Sequence, residues 1–436
     1  MSFLEHGATA VVLVLSFTVS AAAQGTAAAA PQADPAALRQ EIEQLRKELD
    51  ELKGQYEGRL AALEAKLSAQ PAEQAAAAVP AQPPPAVAAP PLPDQPGLQP
   101  TGQAAQAASN VFNPSTSVIG NFVGAGGRNT VNPLPALAMP ESEVSFQAVV
   151  DPYARADFFL SFGEEGVDLE EGFITFPTLP GGVLMRVGKI RSAFGKVNTL
   201  HTHVLPWVDR PLVTENLLGG EEGITDAGIS VARLIPNPWT FLEATGQVFR
   251  GDSGDVFQSN SRGDLSFVGH LRGYQDLTES SNIDVGFSYA HGYNASGVKD
   301  DATADSRGTT LFGVDATYRW KPLKRAIYTS FLGRGELVWS QRDQPNGLQK
   351  AFGMYVSGDY QFARRWFAGA RYDRSGLADD AALHDTGGSF ILTYKPTEFS
   401  LIRGQYRRIN YSLGDPGNEV LFQFLFAIGA HGAHPF

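Results

Sequence analysis

The sequence predicts an all-β membrane protein: a sixteen-stranded antiparallel transmembrane β-barrel, preceded by a helical coiled coil and a Pro/Ala-rich linker. Three observations predict it. From about Ser117 onward, short segments alternate apolar and polar side chains with period two, as half-lipid, half-water strands require. The connections between them alternate between short turns and longer polar loops. The final segment, Val420 to Phe436, places Val420, Phe422, Phe424, Phe426 and Ile428 on one face with no later chain to cover them. Lipid is the economical solvent for such a face.

Composition narrows the class. The chain has 436 residues, no Cys, 46 Gly, 18% charged residues and a net charge of −12. No disulfide framework is possible, and the negative balance argues against a nucleic-acid partner. The mildly negative mean hydropathy suits a barrel, in which only alternate residues meet lipid.

The chain divides into four parts. Residues 1–23 read as a signal peptide: the apolar core Ala8 to Val19 is too short to span a bilayer, and Ala21 to Ala23 are small residues before a cleavage site. The positive charge expected at such a start is missing from Met1 to Gly7, which suggests a start codon farther upstream. Residues 34–69 carry a heptad seam of Leu38, Ile42, Leu45, Leu49, Leu52 and Tyr56, continued with a slip by Leu60, Leu63 and Leu67. This predicts a periplasmic coiled coil joining subunits; a lone amphipathic helix is the alternative. Residues 70–116 are dominated by Ala, Pro and Gln, which cannot build a core and predict a spacer. Residues 117–436 are the barrel.

Strands are expected near 117–123, 142–150, 154–162, 167–176, 183–190, 223–234, 239–249, 264–274, 282–291, 309–319, 326–339, 351–362, 365–373, 388–395, 399–410 and 419–436. Short turns are expected at Asp151-Pro152, 177–182, 236–238, 321–325, 363–364 and 396–398. Longer loops are expected at 191–222, 250–263, 292–308, 340–350, 374–387 and 411–418. Short turns face the periplasm and long loops the exterior. Trp239, Trp320 and Trp366 adjoin short turns, as an interfacial girdle would. A terminal Phe resembles the assembly signal of bacterial outer-membrane barrels.

Sixteen strands leave a water-filled lumen. Parity turns Arg155, Asp157, Arg186, Glu243, His270, Arg272, Asp284, Asp315, Arg319, Arg334, Glu336, Asp359, Arg371, Asp373, Arg403 and Arg407 inward. Both signs are present. The loops carry acids such as Glu164, Glu165, Asp252, Asp300 and Asp379, which would either concentrate cations or lie solvated beside lipopolysaccharide.

The segment 191–222 is too apolar for solvent, since Val204, Leu205, Trp207, Leu212, Leu217 and Leu218 need burial. Folding into the lumen as a constriction would bury them. His201 and His203 sit there with Asp209 and Glu215, a weakly specific pattern for Zn²⁺; packing or hydrogen bonding of the loop is the alternative reading.

The stretch Glu170 to Phe176, followed by Gly188-Lys189, Phe194-Gly195, Asn198 and Asp209-Arg210-Pro211, resembles the phosphate-selective porin family. The match covers about 143–235 in motif and the remainder in strand rhythm. The resemblance implies a sixteen-stranded barrel, a trimer and passive diffusion. It places Lys189, Arg191 and Lys196 at the head of the long loop. It does not extend to phosphate specificity, because no basic ladder aligns and the overall charge is negative.

The expected function is therefore an outer-membrane porin passing ions or small hydrophilic solutes, with no cofactor, in contact with outer-membrane lipid and lipopolysaccharide. The pore-lining or constriction candidates are Arg186, Lys189, Arg191, Lys196, Arg272, Arg319, Arg334, Glu336, Arg371 and Arg403. The alternative is a TonB-dependent-type receptor for a metal or metal chelate, disfavoured because that class carries a folded plug and about 22 strands. A third possibility, an outer-membrane hydrolase, has no GxSxG elbow to support it, and no Ser/His/Asp spacing singles out a triad. A fourth is a non-conducting anchor whose coiled coil organises the envelope.

Overall fold

The computed structural model describes residues 114–163, 166–294 and 307–429, together with Lys47. The signal peptide, the coiled coil apart from Lys47, nearly all of the linker, the loop acids Glu164, Glu165, Asp300, Asp301 and Asp305, the tail His431 and His434, and Phe436 lie outside the described residues.

Sixteen strands close into one barrel. They are β1 (Ser115–Arg128), β2 (Leu137–Asp151), β3 (Ala154–Gly163), β4 (Gly166–Leu179), β5 (Val183–Arg191), β6 (Thr225–Leu234), β7 (Phe241–Phe249) and β8 (Ser266–Thr278). They continue as β9 (Ser281–Asn294), β10 (Arg307–Trp320), β11 (Ser330–Gln344), β12 (Gly347–Ala363), β13 (Trp366–Gly376), β14 (His384–Thr397), β15 (Ser400–Asn410) and β16 (Gly417–Gly429). Each strand pairs antiparallel with its sequence neighbours. The β1–β16 ladder, from Ser117↔Gly429 to Arg128↔Asn418, closes the cylinder and removes both sheet edges.

Period two sorts the two faces. Phe287, Tyr289, Val356, Phe390, Val420 and Phe422 are exposed on the outside. Their strand neighbours Ser288, Tyr355, Ser357, Ile391, Leu421 and Gln423 are buried inside. A large apolar exterior around a polar interior inverts the order of a water-soluble protein and is solvated by hydrocarbon. Aromatic pairs mark the outer face, with Trp366 on Tyr394 (ring centroids 4.7 Å apart) and Trp339 on Phe352 (5.3 Å).

One expected loop is absent. The polar stretch 340–350 is not a long connection: β11 and β12 pair out to Gln344↔Gly347, leaving Pro345-Asn346 as the turn. Gly347, the first residue of β12, follows this turn with a positive φ (115°) that glycine accepts at little cost. Conversely, the turn after β10 runs over 321–329, longer than expected, and is stitched internally by Arg325 N–H to Pro322 O (3.0 Å) and Tyr328 N–H to Arg325 O (2.9 Å).

The main apolar core lies inside the cylinder. Phe194, Val197, Leu205, Trp207, Val213, Leu217, Leu218 and Ile224, all from the segment between β5 and β6, pack with inward wall residues such as Phe249, Leu311, Tyr355 and Ile391, and with Phe257 of the β7–β8 connection.

Candidate functional site

Residues 192–224 leave β5, cross the lumen and return to β6. Asn198 ties the two ends together: its Nδ2 donates to Ser192 O (3.0 Å) and Ile224 O (3.1 Å), and its Oδ1 accepts from Ile224 N–H (2.8 Å). Gly195, at φ 63°, lets the chain pass Glu336, whose Oε1 accepts the Lys196 and Val197 N–H groups, each at 2.7 Å. A Cβ at Gly195 would meet the Glu336 carboxylate at 2.8 Å. A short helix not expected from the sequence, α1 (Leu212–Leu217), forms after Pro211. It seats Val213 and Leu217 over Gly353 of β12, where a Cβ would meet Val213 Cγ2 at 2.7 Å.

The far wall grips the loop by charge. Asp209 accepts from Arg371 Nη2 and Arg407 Nη1, each at 3.0 Å, and from Gln405 Nε2. Burial alone would raise the Asp209 pKa, but Arg371 and Arg407 outweigh it and hold the carboxyl below its ordinary range. Arg403 Nη1 donates to the Leu205 and Trp207 carbonyls at 2.8 and 3.1 Å. Trp207 stands edge-on to Tyr355 (5.2 Å), with the Arg371 guanidinium 4.8 Å from the centre of its ring.

On the opposite side, His201 and His203 meet carboxylates from the wall. His201 Nδ1 is 2.8 Å from both Glu143 Oε2 and Glu170 Oε2, and its Nε2 is 2.9 Å from Glu171 Oε2. His203 Nδ1 is 3.1 Å from Glu141 Oε1. Burial opposes the imidazolium form in both. The carboxylates, Glu143 foremost, prevail and raise both pKa values, that of His201 well above the ordinary one. Asp209 and Glu215, the carboxylates expected to join these histidines, do not. Asp209 is committed to arginines on the far wall. Inward Glu141 and Glu143, two residues apart on β2, were readable as an inner-face pair but were not connected to the loop.

Below the loop, toward the short turns, a cavity of about 410 Å³ remains. Of the sequence-predicted residues, Arg186, Arg191, Lys196, Arg272, Arg319, Arg334 and Arg403 line it. Glu336 and Arg371 instead lie under the loop and bind its backbone. Lys189 is not among the lining residues; it pairs with Asp168 at 3.5 Å. Lys395, which sequence reading missed, joins the lining. Leaving aside the histidine cluster and its Arg191, eight basic side chains and five acidic ones face this space. Ion pairs within it include Arg155–Asp157 (2.7 Å), Arg272–Asp284 (2.5 Å) and Arg334–Asp359. Burial lowers the Lys196 pKa to about 8, against the attraction of Asp284.

Comparisons place this architecture. No protein-family model matches the chain. The fold is shared with OprB of Pseudomonas putida (TM-score 0.51, 10% identity, covering 75% of this chain and 96% of that one). It is also shared with an anion-selective porin from Comamonas acidovorans (TM-score 0.50, 10% identity, 72% and 100%). A loop L8 deletion mutant of OmpT, an outer membrane protein of Vibrio cholerae, is similar as well (TM-score 0.50, 11% identity, 72% and 99%). The lipid-facing exterior and this shared fold put the barrel in the bacterial outer membrane. In sequence, an uncharacterized protein of Aquifex aeolicus is 30% identical over 334 residues, 68% of this chain and 69% of that protein. The chain therefore belongs to the same family as this Aquifex protein.

Proposed function

We propose that the protein is a porin: a passive channel for small hydrophilic solutes and ions, mildly favouring anions, with its passage narrowed by residues 192–224. One observation carries the reading. A loop from the barrel's own wall narrows the lumen without filling it, and the remaining space is lined by charged side chains. Selectivity in such a passage follows the lining charge. The surplus of basic over acidic groups supports the anion preference, with Arg186, Lys196, Arg272, Arg319, Arg334 and Arg403 as its carriers. The receptor alternative draws no support from sixteen strands, where transporters of that class have about 22.

The assembly is a homotrimer in this reading, held in part by a periplasmic coiled coil over 34–69 and exported by the signal peptide 1–23. The heptad seam supports this, because its apolar stripe needs a partner. Deleting 34–69 leaves inserted barrels but weakens subunit association; an unchanged oligomer on gel filtration in detergent would remove the coiled coil from the account.

Planar-bilayer recording tests the channel. Steady ohmic steps are expected, with a reversal potential of anion-preferring sign in a KCl gradient. A silent but correctly inserted barrel would sink the proposal.

A further inference from the structure

The four glutamates around His201 and His203 owe their meeting to an irregularity. Glu141 and Glu143 share the inner face of β2 by simple parity. Glu170 and Glu171 are adjacent on β4 and should point to opposite faces. The β3–β4 ladder, however, passes from Phe159↔Glu171 to Leu160↔Leu169, so Glu170 is the extra residue of a bulge. The bulge brings both carboxylates to the histidines, with Glu170 and Glu171 side chains each 12% exposed. Among the described residues, Arg191 is the one guanidinium or ammonium within ion-pair distance of this cluster, at 3.1 Å from Glu170.

Two contacts are hydrogen bonds, His201 Nε2 with Glu171 and His203 Nδ1 with Glu141, but His201 Nδ1, Glu143 Oε2 and Glu141 Oε2 make none. His201 Nε2 faces Glu171, whose other oxygen is fixed by the Arg191 N–H at 2.8 Å. That arrangement presents the His201 Nδ1 position to Glu143 and Glu170. Nδ1 and Glu143 Oε2 are 2.8 Å apart, yet neither makes a hydrogen bond, and no donor reaches Glu141 Oε2. Glu141 and Glu143 are 5% and 3% exposed, so water cannot readily serve them. A spherical cation needs no hydrogen-bond angle. A carboxylate behind the distal nitrogen of a histidine is also the usual second support of a metal ligand.

We propose that this cluster binds a divalent first-row transition-metal ion, with His201, His203, Glu141, Glu143 and Glu170 as ligands and Glu171 orienting His201. Metal–nitrogen and metal–oxygen bonds of about 2.0–2.2 Å separate neighbouring ligand atoms by about 2.9–3.4 Å. The observed separations include 2.8 Å for His201–Glu143, 3.1 Å for His203–Glu141 and 3.7 Å for His203–Glu143, so His203 and Glu143 must draw together by a few tenths of an ångström. Imidazole with carboxylate selects zinc, manganese or iron over calcium and magnesium. Glu143 belongs to both three-residue sets, Glu141–Glu143–His203 and Glu143–Glu170–His201, so a second ion would share it. The ion staples the loop to β2 and β4, opposite the arginine grip on Asp209.

Elemental analysis of the full-length protein in detergent tests this. The protein is stripped with EDTA, incubated with ZnCl₂ or MnCl₂, and desalted. Retention of one or two ions per chain is expected. The retention is lost in His201→Gln/His203→Gln and in Glu143→Gln, and kept in the tail control His431→Gln/His434→Gln. No retained ion in the wild type would overturn the site, as would full retention in the His201/His203 variant. Where these variants fail to insert, X-ray absorption at the zinc edge of the wild type decides. Imidazole scattering in an N/O-only shell supports the site, and a shell without imidazole rejects it.

Discussion

The half of the barrel interior near the long loops and the half near the short turns are filled differently. In the first, residues 192–224 meet the wall as a protein core does, with Trp207, Phe194 and Leu218 fully buried and Asp209 paired with Arg371 and Arg407. In the second, side chains of similar strands stop short of one another and leave a charged cavity. The wall is the same kind of sheet throughout. What differs is the presence of an inserted segment: one connection narrows the first half, while wall charges and Lys196 line the space beneath it. The two can be altered separately.

The largest effect should come from removing the insert. Replacing 200–218 with a short Gly/Ser link should raise single-channel conductance severalfold while the sixteen-strand wall still inserts. An unchanged conductance would mean that the loop does not set the aperture. Next, Asp209→Ala leaves Arg371 and Arg407 without their shared partner. Loss of one member of a buried ion pair costs about 3 kcal/mol, the lower end applying because Arg371 retains Asp373 and Arg407 retains Glu419. A lowered thermal midpoint and noisier open-channel current are the readouts. The wild type should mimic this in acid. Because the folded pKa of Asp209 is depressed, its contribution is fully present above about pH 4 and is lost as pH falls below that value.

Smaller effects probe the wet half. Lys196, with a pKa of about 8, loses its charge between pH 7 and 9. Anion preference read from reversal potentials should decline over that range in the wild type but not in Lys196→Met. A pH-independent wild type would take Lys196 out of the passage. The smallest effect belongs to the rim. Arg128 and Asp415 pair at 2.7 Å with side chains 74% and 61% exposed, and Arg128→Ala should cost under about 1 kcal/mol. A larger loss of melting temperature would show that the rim is less solvated than its exposure indicates.

Much of the wall was legible because a strand's faces are set by neighbours two residues away. Phe287 and Tyr289 out with Asp284 in, or Phe312 and Tyr318 out with Asp315 in, follow from parity alone. The insertion of 192–224 was signalled by its apolar residues, of which Leu205, Trp207, Leu212, Leu217 and Leu218 are buried. The tight hairpin at Pro345-Asn346 was missed, because the polar residues around it read as a long loop over 340–350. The partners of His201 and His203 were not legible. They depend on a bulge at Glu170 and on where a 33-residue excursion comes back against the wall.

The amino-acid order by itself determined a closed, lipid-facing antiparallel cylinder with one loop too greasy for water, because period-two patterning and burial are local or additive properties. Only the tertiary structure decided which wall charges lie under that loop and which face open space. It also decided that Asp209 meets arginines while His201 meets glutamates. Those pairings join residues up to 198 positions apart, and their distances are set by the barrel's curvature and register rather than by any spacing along the chain.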